Sequence, residues 1–212
     1  MDAVAPLPRR RGRPPKLRED TIDTRDLLLR AGLEVLTAKG FSSTGIDEVL
    51  RRVGVPKGSF YHYFESKEAF GAELVDRYAA YFAKKLDRHL LNETLPPLAR
   101  ISAFIADAQA GMERYGFSRG CLIGNFGQEM GALPEGFRIK LQNVFDDWQC
   151  RLARCLAAAQ AAGALSKQAD CQELAKFFWI GWEGAVLRAK LELDAQPLKT
   201  FAHYFFTAIL PR

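Results

Sequence analysis

Between Lys57 and His62 the chain reads Lys-Gly-Ser-Phe-Tyr-His. An ammonium, a hydroxyl, a phenol and an imidazole within one short stretch supply donors for phosphate oxygens and for the edges of bases. Gly58 lets a partner's backbone approach closely. A second group, Cys121, Asn125 and Gln128, falls at helical spacing and sets a thiol beside two amides. A thiol at a helix start is expected to have a lowered pKa and to act as a nucleophilic thiolate. Further on, Trp182 and Lys190 lie in the run Trp-Glu-Gly-Ala-Val-Leu-Arg-Ala-Lys. A third group is the basic arm Arg-Arg-Arg-Gly-Arg-Pro-Pro-Lys, from Arg9 to Lys16, in which Arg11 and Arg13 flank Gly12. Arginines on such a narrow, extended chain suit the minor groove of A·T-rich duplex. The alternative is a solvated tail giving only salt-sensitive attraction.

These groups need elements to hold them. Thr44 is expected to cap a short helix, with Asp47 completing a loose capping box and Ile46, Val49 and Leu50 facing inward. Gly54 ends that helix, Val55 plugs the turn, and Pro56 takes the first position of the next. The second helix, Lys57 to Tyr63, is anchored by Phe60 with Tyr63 or Phe64, and Ser66 caps a third element. Two short helices joined by a tight glycine-containing turn make a helix-turn-helix, whose second helix enters the major groove. Thr44 and Lys67, at helix N-termini, are placed to meet phosphate.

The remaining periodicity is helical throughout. Apolar residues recur at three and four over 24–39, 96–115, 135–162 and 171–193, and a last helix is expected over 198–209. The 171–193 stretch is apolar almost all round, as a helix in a core or subunit interface is. Gly120, Gly124, Gly127 and Gly131 would form a small-residue stripe on one helix, which something must approach closely. No alternating strand pattern and no internal repeat are read, so the class is all-α. Apolar residues make up 48% and charged residues 26% of the 212, with a net charge of +5, as in an ordinary globular protein whose basicity is local. The four cysteines form no CxxC pair and have no histidine cluster beside them. No metal site or cofactor is therefore read, and free thiols are expected. With neither an apolar leader nor a membrane span in the sequence, the expected location is cytoplasmic.

The 41–70 stretch, and above all Gly-Val-Pro-Lys-Gly-Ser-Phe-Tyr-His-Tyr-Phe-Glu-Ser-Lys-Glu-Ala-Phe, resembles the DNA-binding domain of the TetR family of bacterial transcriptional regulators. The resemblance implies nine helices. After a basic arm at 1–20, the DNA-binding domain would span 21–66 and the ligand-binding and dimerisation domain 67–212. The family's DNA contacts carry over to Thr44, Lys57, Gly58, Ser59, Tyr61, His62 and Lys67. Pro56 departs from the usual serine and removes a hydroxyl there. The segment Gly-Cys-Leu-Ile-Gly-Asn, from Gly120, is similar to the electrophile- and acrylate-responsive branch of the family, NemR-like and AcuR-like. In that branch the cysteine reacts and a later lysine lies near it, which implies sensing roles for Cys121 and Lys190. Against this stand a plain core thiol and a polar stripe through Lys176, Glu183 and Lys190. Trp182 belongs either to the ligand cavity or to the dimer seam.

The expected function is a homodimeric, ligand-responsive repressor of a palindromic double-stranded operator, released by a small-molecule inducer. Rival readings are a thiol-dependent enzyme acting on electrophiles, a nonspecific DNA-compacting protein, and an activator. The seam is expected from the 171–193 helix and from Phe201, Tyr204, Phe205 and Ile209.

Overall fold

The computed structural model describes residues 23–210, all-α among those residues, with nine helices and no strand. Arg11 and Arg13 lie outside the described residues. Helix α1, Thr24–Lys39, starts where the Asp23 carboxylate accepts from Arg25 N and stops at Gly40. Helices α2, Ile46–Val53, and α3, Lys57–Tyr63, follow. Between them Gly54 adopts φ 67°, a left-handed conformation that favours glycine and turns the chain sharply. Helix α4, Lys67–Leu90, is capped by Ser66, whose hydroxyl accepts from Ala69 N at 3.0 Å. Then come α5, Pro97–Arg114, α6, Leu122–Gln128, and α7, Glu135–Ala161. The last two are α8, Cys171–Glu192, capped by Asp170, and α9, Gln196–Tyr204, which runs into a π-helical turn, Phe205–Ile209.

Two expectations need correction here. The N-cap of α2 is Gly45, which makes no side-chain cap bond; Thr44 instead turns its hydroxyl inward to Gly40 O at 2.7 Å. The glycine stripe is also shorter than expected, because α6 covers seven residues and leaves Gly120 and Gly131 outside it. Only Gly124 has the close neighbour that a stripe requires: a Cβ there would collide with the Glu183 carboxylate.

Helices α1 to α3 close around Leu28, Leu36, Phe60 and Phe64, and the start of α4 completes that core with Phe70 and Leu74. Beyond it α4 runs on between α5 and α7. There the core is aromatic, with Trp148, Trp179, Phe104 and Phe82 packed ring to ring. One long helix is thus shared by both cores.

Candidate nucleic-acid interface and interior cavity

Helix α3 separates its two faces cleanly. Phe60 is fully buried and packs tilted against Phe64 and edge-on against Phe70, each with ring centroids 5.2 Å away. On the opposite face Tyr61 is 53% exposed, Lys57 and His62 are exposed and Ser59 is half-buried. A Cβ at Gly58 would meet nothing within 4 Å, so the fold itself makes no use of that glycine, and the outer face there is flat and open. Lys57 Nζ stands 3.4 Å from Asp47 on α2, a surface pair that yields readily to phosphate. Arg51, exposed in the last turn of α2, adds a cation to this side that its position in the sequence gave no reason to single out.

The two residues expected at helix N-termini are engaged internally. Thr44 is 2% exposed and its hydroxyl is already spent on Gly40 O, so it locks the loop before α2 rather than presenting itself to phosphate. Lys67 donates to Ser42 O at 3.4 Å and its ammonium sits 4.5 Å over the Phe41 ring.

Between α1, α4, α5 and α8 lies a cavity of about 270 Å³ with walls from Leu33, Phe82, Met112, Trp182 and Val186. A few polar groups reach it, among them Tyr78, Lys85, Arg119, Cys121 and Glu183. That balance of apolar wall and sparse polar groups is typical of a small-molecule site. Trp182 is 2% exposed and stands on the cavity side, not on the outer face of α8. Lys85 pairs with Asp107 at 3.0 Å. Arg119 lies 4.0 Å over the Tyr115 ring and 3.5 Å from Glu34 of α1.

Cys121 caps α6, its sulfur accepting from Gly124 N at 3.4 Å. The expected activated thiolate is overturned. Burial first, and then the facing Glu183 carboxylate, push the thiol well above its ordinary value, and one backbone N–H of a short helix does not offset them. Burial also raises Glu183 to about 7, only partly opposed by the Cys121 thiol, and raises Tyr78 well above the usual phenol. Lys190 lies beside Cys121 in a narrow crevice with Gly124, Asn125, Gln128 and Glu183. Burial lowers its ammonium, and the Glu129 charge opposes that shift. Asn125 points its amide away from the cavity, into the carbonyls of α1, and Gln128 is exposed, donating to Gly124 O at 3.4 Å. Cys155 is a core thiol, pushed by burial to about 11.

Glu183, Tyr78, Lys85 and Arg119 were not found by sequence reasoning. A carboxylate midway along the apolar 171–193 stretch, between Glu173 and Glu192 near its ends, was a usable signal for Glu183. The other three are polar residues on amphipathic or loop segments, and packing alone selects them.

Residues 28–74 match the family described as bacterial regulatory proteins, tetR family, and residues 97–205 match the tetracyclin repressor-like C-terminal domain. The transcriptional regulator AcuR of Cereibacter sphaeroides is 54% identical over 92% of this chain and 89% of its own length. The HTH-type transcriptional repressor NemR of Escherichia coli is 30% identical over 84% of this chain and 89% of its own. The crystal structure of a regulatory protein TetR from Rhodobacter sphaeroides superposes with a TM-score of 0.84 at 55% identity, covering 85% of this chain and 96% of that one.

Proposed function

The chain belongs to the TetR family of bacterial regulatory proteins and is a transcriptional repressor of that type, and from this premise we propose how it works. It holds a palindromic operator as a homodimer and releases it when a small electrophile or a small carboxylate such as acrylate enters the cavity beside Cys121. The observation that carries the reading is the division of α3, with Phe60 sealed inside and Lys57, Ser59, Tyr61 and His62 on the free side. Such a helix is a probe for base edges, and Gly58 lets it lie close to the backbone.

One helix this short reads too few bases alone, so two copies must act about one duplex turn apart. The outer face of α8 supports the pairing. Phe177, Ile180, Leu187 and Leu191 are exposed there, an apolar face that a second copy of the chain would cover.

Release follows from the shared helix. Tyr78, Phe82 and Lys85 of α4 line the cavity, and Phe70 of the same helix packs edge-on against Phe60 and Phe64 beneath α3. A ligand that pushes on Tyr78 tilts α3 and spoils the half-site spacing. The effector's coupling to DNA is on the order of 1–3 kcal/mol. Lys85 and Arg119 suit an anionic ligand, and a protonated Cys121 favours reversible capture over covalent addition. The covalent reading keeps support from the place of Cys121 in the cavity wall.

Selection of bound fragments from random duplex, repeated with acrylate and with reactive aldehydes and quinones, tests the proposal. A palindrome recovered at physiological salt and lost with one of these compounds is the expected result. Recovery of no sequence preference refutes it. The mass of the protein afterwards separates an adduct on Cys121 from reversible binding, and steady product formation would mark an enzyme instead.

A further inference from the structure

Two cations in the cavity wall, Lys85 and Arg119, are each held by a carboxylate, but in different ways. Arg119 lies over the Tyr115 ring and 3.5 Å from Glu34, whose other partner is Arg52 at 3.5 Å. A guanidinium keeps its charge at every ordinary pH. Lys85 is held by Asp107, and there the other partner is a histidine.

Helical register brings this group together. Tyr78, Phe82 and Lys85 face the cavity from α4 at spacings of four and three, and His89 stands one turn beyond Lys85 on the same face. Opposite them α5 lines the cavity with Ala108, Gly111 and Met112, and Asp107 comes one residue before Ala108. The Lys85 ammonium donates to Asp107 Oδ2 at 3.0 Å, and His89 Nε2 meets the same oxygen at 3.0 Å. The His89 ring is set edge-on to Phe104. Side chains of Lys85 and His89 are only 14% and 18% exposed, so water is a poor substitute for either partner. Burial opposes the Asp107 charge, yet the bonds from Lys85 and His89 hold its carboxyl below the usual range.

One oxygen shared by two donors can give one of them up. An anion in the cavity competes with Asp107 for the Lys85 ammonium, and Asp107 is then left with His89. An imidazole is more readily protonated beside a carboxylate and less readily beside an ammonium. Drawing Lys85 away therefore favours the charged ring, which replaces the lysine as counter-ion. The neighbouring charges are already engaged. Arg151 of α7 is paired with Asp87 and Asp147, and Arg100 of α5 donates to Leu90 O and Leu95 O. Across the cavity the Glu183 carboxylate of α8 faces Cys121 and Tyr78.

We infer that Lys85 is the anchor for an anionic ligand, and that Asp107 and His89 are positioning residues that hold it ready and release it to the ligand as His89 takes up a proton. This deepens the small-carboxylate reading given above and rests on it. A carboxylate then binds more tightly as pH falls through the imidazole range, about pH 8 to 5, and a neutral molecule of the same shape does not.

Calorimetric titration of the full chain with acrylate, and with acrylamide as its neutral counterpart, reads the linkage. Acrylate binding near pH 7 should take up a fraction of a proton, seen as a difference in heat between phosphate and Tris buffers. Its affinity should fall about fivefold to tenfold between about pH 6 and pH 8. Glu183 titrates near neutrality in the same cavity, so every comparison is repeated with Glu183→Gln. In both backgrounds His89→Gln, which keeps a donor for Asp107, should remove roughly half or more of the proton uptake and flatten the profile. Asp107→Asn should raise acrylate affinity about threefold to tenfold, since the ammonium is no longer claimed. Unchanged uptake and profile in His89→Gln overturn the inference, as does an affinity that fails to rise in Asp107→Asn.

Imidazole resonances judge the linkage without ligand or DNA. The chain has three histidines, and the His89 signal is the one lost in His89→Gln. Lys85→Met should move the midpoint of that signal up by about one pH unit, and Asp107→Asn should move it down. A midpoint that stays in place in Lys85→Met overturns the inference. Failure of acrylate to bind the wild-type chain defeats the small-carboxylate reading, while the midpoint still decides whether His89 answers to Lys85.

Discussion

Tyr61 is the residue on which the outer face of α3 depends most. Its ring stands in solvent and its only aromatic neighbour among the described residues, the Phe60 ring at 5.4 Å, is held in place by other contacts. Tyr61→Ala should therefore lower operator affinity by about 1–3 kcal/mol while the melting temperature barely moves. Fluorescence anisotropy with labelled duplex, alongside thermal unfolding, measures both. Glu183 gives a different kind of prediction. Its folded pKa is about 7 against an ordinary 4.5, so between those values the folded chain keeps a proton that the unfolded chain gives up. The resulting stability is complete below the lower value, declines as pH rises through the window and is absent above the upper one. Glu183→Gln should flatten that decline and leave the variant about 1–3 kcal/mol more stable at alkaline pH, read by denaturant unfolding across the pH range. The sequence hid this group because a carboxylate midway along a largely apolar helix, between Glu173 and Glu192 near its ends, shows no partner until α6 packs against it at Gly124. Cys121 was legible as a residue of interest, but its protonation was not. That depends on Glu183 and Tyr78, distant in sequence, closing over it.

At the scale of elements, α8 divides its surface between a buried inner face and an exposed apolar outer one. Trp179, Trp182 and Ala189 face inward, while Ile180 is 68% and Leu191 73% exposed. Ile180→Asp should leave the fold intact, because nothing inside contacts that side chain closely enough to bury it. It should split the proposed dimer, seen as a halved mass in sedimentation, with operator affinity falling at least tenfold as the second half-site is lost. Helix existence was largely readable: the three-four spacing located α1, α5, α7 and α8 to within a residue or two. Helix α6 resisted because glycines at 124 and 127 weaken its propensity, and its extent is set by bonds to α1 rather than by its own sequence. Thr44 misled for a related reason. Gly45 beside it begins α2 with backbone geometry alone, which frees the threonine to tie the loop. The helix-turn-helix was the most legible part, because Gly54, Pro56 and Phe60 each satisfy a local backbone or packing need that no distant residue has to supply.

For the whole molecule, charge is concentrated rather than spread. Net charge is +5, yet six Lys or Arg and no acid fall between Arg9 and Arg18. Removing residues 1–18 should weaken operator binding most at low salt and make the slope of log affinity against log salt shallower by several counterions, measured by titration at a series of ionic strengths. On the proposed reading the two halves of the molecule must communicate, and the placement of its tryptophans offers a window on that. All three, Trp148, Trp179 and Trp182, sit in the cavity-side core, and the segment from α1 to α3 has none. Red-edge ultraviolet excitation of the native protein thus illuminates the cavity-side half alone. Trp182 borders the void, and the indole nitrogens of Trp148 and Trp179 lack a hydrogen-bond partner among the described residues, so their emission should be blue-shifted and should change when a molecule enters. Unlabelled protein in a cuvette can then report occupancy in real time, while a dye on the duplex reports release on a separate channel.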